Sequence, residues 1–300
     1  MSARDAFRGY LAAARVAVDG ELERLLPAAG EPPARLHEAM RYGVFAGGKR
    51  LRPALCLLAG ELYGSDRESL LPGAAALEMI HTFSLIHDDL PALDDDDLRR
   101  GQPTVHRRYD EATALLVGDG LLNLAMTVLV SEPPAMAAER RLQAARVVGG
   151  AVGTGGMIGG QMADLEAEHS WPEEAQAALE SIHRRKTGAL IVASVRIGGV
   201  YAGAGEDADR LLAALAERIG LMFQISDDIL DVEGSDETLG KTAGKDARAH
   251  KLTYPALLGL AESRRLLRRI ADEAEGLAAE LPGDGSVLRS LIRFVATRDR

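Results

Sequence analysis

The chain has 300 residues, a single cysteine (Cys56), and 45 acidic against 35 basic side chains, for a formal net charge of −10. One cysteine excludes an internal disulfide, which fits a reducing cytoplasm, and the acidic excess argues against general nucleic-acid binding. Hydrophobic residues make up 47% but aromatics only 4%, so alanine and leucine carry the packing and helices are favoured over sheets.

Residues 1–26 set Arg4, Arg8 and Arg15 among alanines, with Asp5, Asp19, Glu21 and Glu23 interspersed. There is no apolar signal-peptide core, and the segment reads as an ordinary surface helix. Residues 34–40 also read as helix. Residues 43–49 then spell G-x-x-x-x-G-K, but Arg50 stands where a P-loop has Ser or Thr, and no strand precedes it. Residues 79–86 look buried. They lead into the first acidic cluster, Asp88-Asp89 followed by Asp94-Asp95-Asp96-Asp97. Asp88 and Asp94 are six residues apart, about 240° around an ideal helix. They share a face only if the helix distorts, for which Pro91 supplies a reason. Asp95, at seven, would share the face of Asp88 in an undistorted helix. Spacing alone leaves open which later aspartate faces a common ligand. His87 reads as structural and not as a ligand, and none of the histidines has zinc spacing.

The glycines from 149 to 160 begin a dinucleotide-like pattern, but Ile158 stands at its third glycine and no strand precedes it. They read as a helix break or a close helix contact. Further on, Leu211, Leu215, Met222, Ile225, Ile229 and Val232 trace an apolar helical stripe, while Gln224, Asp227, Asp228 and Asp231 trace a different stripe, with Asp227 and Asp231 projecting from one face a turn apart. Asp227, Asp228 and Asp231 form the second acidic cluster. Pro32-Pro33, Pro72-Gly73, Pro133-Pro134, Trp171-Pro172 and Pro282-Gly283 read as helix boundaries. No long stretch alternates with period two, no internal repeat appears, and no run of about 18 apolar residues forms a membrane span. The reading is one all-α domain over 1–300, of about ten helices, with a site between facing helices.

Carboxylates repel one another and are costly to hold near an apolar core. Hard divalent cations neutralise them best, and magnesium prefers a few carboxylates plus water and phosphate oxygens. The acidic clusters are accompanied by Lys49, Arg50 and Arg52, by Arg99 and Arg100, and by Lys186, Lys241, Lys245 and Lys251. Together they suit a polyanionic ligand held partly by metal and partly by cations.

The joint pattern resembles the trans-prenyltransferases, or polyprenyl diphosphate synthases, and is most similar to the bacterial short-chain farnesyl diphosphate synthases. The residues that carry the resemblance are Gly47-Gly48-Lys49-Arg50-Leu51-Arg52-Pro53, then residues 84–94 with Asp88, Asp89 and Asp94, then Arg99-Arg100-Gly101. Gly160-Gln161, Lys186-Thr187-Gly188, Gln224 with Asp227-Asp228 and Asp231, Leu239-Gly240-Lys241 and Lys251-Leu252-Thr253-Tyr254-Pro255 follow in order. The resemblance covers roughly residues 35 to 260; the ends are uninformative.

The resemblance implies an all-α, isoprenoid-synthase-type helical bundle with a central cavity, working as a homodimer in the cytoplasm without stable membrane association. It implies three magnesium ions held by Asp88, Asp89, Asp94, Asp227 and Asp231, with Asp228 in the same motif. Arg99, Lys186 and Lys241 would contact an allylic diphosphate. Gly48, Lys49, Arg52, His81 and Arg100 would hold isopentenyl diphosphate, with Lys251 also among the substrate-binding residues. Thr187 and Gln224 would turn oxygen dipoles toward a carbocation. Bulk a turn before the first aspartate limits product length in such enzymes. Phe83 stands there, about 7.5 Å along a helix from Asp88, and its neighbour Ser84 is small. The expected product is farnesyl diphosphate, with geranylgeranyl diphosphate as the alternative. Terpene cyclases and squalene-synthase-like enzymes lack the 47–53 motif, and a non-catalytic partner subunit would carry degraded aspartate motifs.

Overall fold

In the computed structural model, which describes residues 3–169, 174–233 and 252–297, the chain runs through α1 (Ala3–Leu25), α2 (Ala34–Phe45), α3 (Leu51–Leu62) and α4 (Arg67–Asp88). A two-stranded ribbon, β1 (Leu98–Arg99) and β2 (Gln102–Pro103), precedes α5 (Val105–Arg108), α6 (Glu111–Ser131), α7 (Ala138–Val152), α8 (Met157–His169) and α9 (Ala175–His183). A π-helical turn, Arg184–Gly188, leads into α10 (Ala189–Ala202) and α11 (Glu206–Glu233), followed by α12 (Tyr254–Leu258), α13 (Leu260–Ala279) and α14 (Ser286–Ala296). The all-α expectation holds. The helices outnumber the ten or so read from the sequence, because the short α5 and α12 have too few turns to show a period.

Two apolar clusters form the core, and α1, α3 and α10 belong to both, with Ala14, Val18 and Leu22 of α1 in the first and Phe7 in the second. Ala54, Cys56 and Leu57 of α3 join Leu190, Ala193 and Ile197 of α10 in the cluster built with α2, α4, α6 and α7. Leu55, Leu58 and Ala59, with Ile191 and Val195, join the cluster built with α1, α11, α13 and α14. Helices apolar on every side belong in the middle of a bundle.

α1 is not the ordinary surface helix expected. Phe7, Ala14, Val18 and Leu22 are almost completely buried, and the Phe7 amide donates to Ser290 Oγ of α14 at 3.1 Å. Pro72 does not mark a boundary either. α4 starts earlier, at an Asp66 cap whose carboxylate accepts from the Ser69 amide, and runs through Pro72, which forgoes only one intrahelical bond. By length and composition α4 and α6 could each cross a membrane, contrary to the sequence reading. α4 places most of that apolar surface in the core, while α6 leaves Leu115, Leu116 and Val130 exposed.

Arg50 is the central polar anchor. It sits in the left-handed region at φ 51, at the start of α3. Its guanidinium is 2% exposed and reaches Asp19 of α1 at 2.7 Å, Glu78 of α4 at 2.8 Å and the Val44 carbonyl of α2 at 2.8 Å. One side chain thus joins four helices. Glu78→Ala leaves that charge buried without its best partner and should lower stability by about 3–5 kcal/mol. Urea denaturation measures this, and a loss below about 1 kcal/mol would show the pair to be dispensable.

Candidate active site

A cavity of about 650 Å³ opens where α1, α3, α4, α10, α11 and α14 meet. Eight of the expected site residues line it: Gly48, Lys49, Arg52, His81, Arg100, Thr187, Gln224 and Asp227. Each is delivered by a local feature of the backbone. Gly48 takes φ 132, which no other residue adopts comfortably. A Cβ there would also stand 2.6 Å from Nη1 of Arg100. Arg100 and Gly101 have φ values of 55 and 76 and make the two-residue turn between β1 and β2, the pairing a tight hairpin requires. The turn aims the Arg100 guanidinium at the Gly47 carbonyl, to which it donates. Thr187 lies on the π-helical turn, an irregularity common at functional sites. Gly160 of α8 lets that turn approach: a Cβ there would lie 2.3 Å from the Lys186 backbone nitrogen.

This face of the cavity is electropositive and short of partners. Arg52 has a buried Nε with no hydrogen-bond partner, and burial weakens its hold on a proton. Among the described residues neither Arg52 nor Lys49 makes an ion pair. The first-turn amides of α3 and the positive end of its dipole face the same space. His81 is held well below its usual range by burial, then by Arg52 and Arg100. It is neutral at pH 7 and offers a hydrogen bond instead of a charge.

The first acidic cluster is organised differently from either helical option. α4 stops at Asp88 instead of distorting, because Pro91 cannot continue it. The chain folds back, so that the Asp94 amide donates to the Asp88 carbonyl at 2.8 Å and the Asp96 amide to the Asp89 carbonyl at 3.2 Å. Asp94 comes back beside Asp88 and raises its pKa. Asp95 turns outward to Arg107 at 3.5 Å. Asp89 is buried and gripped by Arg99, with contacts of 2.7 and 2.5 Å. Lys186 pairs with Asp164 of α8 at 2.6 Å and lies near enough to Asp88 to lower its pKa.

On α11, Gln224 and Asp227 face the cavity, and Asp231 lies one turn beyond Asp227. Asp228 does not share that face: it is 7% exposed, and Oδ2 accepts from the Tyr254 amide at 2.9 Å. Among the described residues no three Asp, Glu, His or Cys side chains converge as a ready-made metal cage. Lys241 and Lys251 lie outside the described residues. Phe83 and Ser84 stand apart from the 650 Å³ cavity. Phe83 packs in the core, and Ser84 donates to the His81 carbonyl at 2.9 Å.

Sequence reasoning missed several residues here. Phe7, Leu11 and Arg15 of α1 and Phe294 of α14 line the cavity from the two chain ends judged uninformative. Asp164, four residues after Gly160, is the partner of Lys186; the Gly160-Gln161 pair was the one signal that pointed to that helix face.

A family model described as polyprenyl synthetase matches residues 33–281. The chain is 46% identical over 268 residues to a farnesyl diphosphate synthase of Escherichia coli, covering 88% of this chain and 89% of that protein. It is 43% identical over 268 residues to a chloroplastic geranylgeranyl pyrophosphate synthase of Catharanthus roseus, covering 89% and 75%. The crystal structure of an FPP/GFPP synthase from Zymomonas mobilis superimposes with a TM-score of 0.87 at 35% identity, covering 98% of this chain and 100% of that one.

Burial pushes the Asp88 carboxyl up to about 6, with Asp94 adding to it. The unfolded chain ionises this group near 3.9, so above pH 6 its charge opposes folding. Asp88→Asn should therefore stabilise the metal-free protein at pH 7.5, on the order of 1–3 kcal/mol after allowance for solvent screening. The gain should shrink to roughly half at pH 5 and vanish below about pH 4, where both states are protonated. Urea melts in EDTA would show it; a gain independent of pH would refute this origin.

Proposed function

The chain belongs to the polyprenyl synthetase family and is a short-chain prenyltransferase that joins an allylic diphosphate to isopentenyl diphosphate; from that premise we propose that it makes farnesyl diphosphate, with geranylgeranyl diphosphate as the second reading. The observation that carries the site assignment is a cavity whose lining brings Lys49, Arg52 and Arg100 together with Gln224 and Asp227 of α11, the buried Arg52 Nε having no hydrogen-bond partner.

In this reading Lys49, Arg52 and Arg100 bind the isopentenyl diphosphate, His81 adds a neutral hydrogen bond, and Gly48 admits the phosphate oxygens to the backbone. The allylic diphosphate meets Arg99, Lys186 and Lys241. Asp88, Asp89, Asp94, Asp227 and Asp231 hold magnesium, three ions per site. The donor set fits a hard cation: oxygen ligands only, in a group where ionised Asp88 is held at a cost, and with no complete protein cage. When bound, magnesium supplies Lewis-acid pull on the leaving diphosphate. The chain's own residues do the rest. Arg99 leaves Asp89 and Lys186 leaves Asp164 for the incoming anion. The Thr187 and Gln224 oxygens face the allylic cation formed as the C–O bond breaks. Ile191 and Phe223 keep water from it. The isopentenyl double bond attacks, and the proton lost passes to the departing diphosphate, since no basic side chain is required there. Asp228 acts apart from the metal, tying α11 to the segment at Tyr254.

Phe83 serves as the floor of the tail channel, with Ser84 too small to do so, which favours the fifteen-carbon product. The geranylgeranyl reading is favoured by the plant relative. We also assign a homodimer, on the exposed Leu115, Leu116 and Val130 of α6. Two further assignments are a cytoplasmic location, on the single free thiol of Cys56, and one domain over 1–300, on the two cores sharing α3 and α10.

Incubating the purified chain with dimethylallyl and isopentenyl diphosphates should give a fifteen-carbon product, lost with EDTA and restored by magnesium. A twenty-carbon main product would favour the second reading, and turnover undiminished by EDTA would remove the metal assignment. Lys49→Ala should raise the apparent KM for isopentenyl diphosphate about tenfold or more and leave that for the allylic substrate within about twofold. Equal changes in both would contradict the division of the site.

A further inference from the structure

Phe83 does not hold its place alone. His87, one turn later on α4, meets its ring edge-on, with centroids 5.6 Å apart and planes at 87°. The imidazole is in turn held from α6. Its Nε2 lies 3.0 Å from the Leu115 carbonyl oxygen, and since a carbonyl only accepts, Nε2 carries the proton and donates. Gly118 of α6 provides the seat. A Cβ at that position would stand 2.0 Å from Nε2, 2.4 Å from Cδ2 and 2.8 Å from Cε1. No real side chain approaches so closely, so the ring occupies space that only glycine leaves open. The chemistry described above does not use this histidine.

We propose that His87, seated on Gly118, is a positioning residue for product length: it holds the Phe83 ring across the tail channel. The proposal rests on the reading of Phe83 as the channel floor. Each added isoprene unit gains burial by pushing past the floor, so a floor able to turn aside would yield. A phenylalanine has two side-chain torsions, and its ring stops growth only if neighbours fix both. His87 packs T-shaped against that ring, with its tip held at the Leu115 carbonyl and the α6 backbone at Gly118 behind it. Sequence spacing alone does not show this arrangement, since His87 and Gly118 are brought together by the packing of α4 on α6.

Two substitutions reach the contact from opposite sides. His87→Ala removes the ring. Gly118→Ala leaves it in the sequence but denies it its seat. Alanine favours helix at both positions, so α4 and α6 should persist, as circular dichroism would show. The readout is the ratio of products longer than the wild-type product to the wild-type product, sized by chromatography after dephosphorylation, with Phe83→Ala as reference. We expect that ratio to rise at least tenfold in both variants, in the same direction as in Phe83→Ala. A general packing defect would lower turnover and leave the ratio alone. If Phe83→Ala lengthens the product while a folded, active His87→Ala or Gly118→Ala keeps the wild-type ratio, this proposal is overturned and the floor reading stands. If Phe83→Ala itself keeps the wild-type ratio, the floor reading fails, and the positioning role falls with it.

Discussion

Negative charge at helix C-termini is the constraint around which this molecule is arranged. Asp88 is the last residue of α4 and Asp89 its cap, while Asp227 and Asp231 occupy the closing turns of α11. A helix carries about half a negative charge at that end, so each carboxylate is set where the backbone already opposes it. The protein answers with its own cations where it can. Arg99 closes on Asp89, and Lys186 reaches toward Asp88 while paired to Asp164. Asp88 remains with its proton affinity raised. A sequence selected for stability alone would not keep these groups here. The proposed magnesium and diphosphate would complete the charge balance.

The opposite wall inverts every term. α3 presents its N-terminus, Gly48 opens the backbone, and Arg52, Lys49 and Arg100 gather beside the same cavity. Arg52 is held against desolvation without a hydrogen bond to Nε. His81 loses its charge to burial first and then to the guanidinium groups around it. The two proposed diphosphates therefore meet different chemistry: one direct cations and amides, the other carboxylates whose sign only a metal can reverse.

The sequence carried the helical class, the two acidic clusters and the basic segments, because each leaves a local trace: period, charge and glycine placement. Eight residues chosen from separate motifs line one cavity. What it could not carry depended on tertiary closure. Helical angle favoured Asp95 over Asp94 as the neighbour of Asp88, because it could not foresee that the helix ends at Asp88 and the chain returns on itself. Asp228 was read on the same polar stripe as Asp227, yet it serves the Tyr254 amide, a partner 26 residues on. Asp164 lies 22 residues from Lys186, and no spacing rule links them. The chain ends looked uninformative because Phe7 and Phe294 acquire meaning only when α1 and α14 pack, with their rings 5.6 Å apart.

Arg50 shows how stability and function are built from one segment. The string that imitates a P-loop ends in a residue with a different task. Arg50 takes a left-handed backbone conformation, which opposes its own Cβ, and turns its guanidinium inward to Asp19 and Glu78. Lys49 and Arg52 line the cavity without an ion pair among the described residues. The buried ion pairs hold α1, α3 and α4 in register. That register places the basic segment opposite α11, so the charges that fix the core also fix the distance across which the two substrates meet.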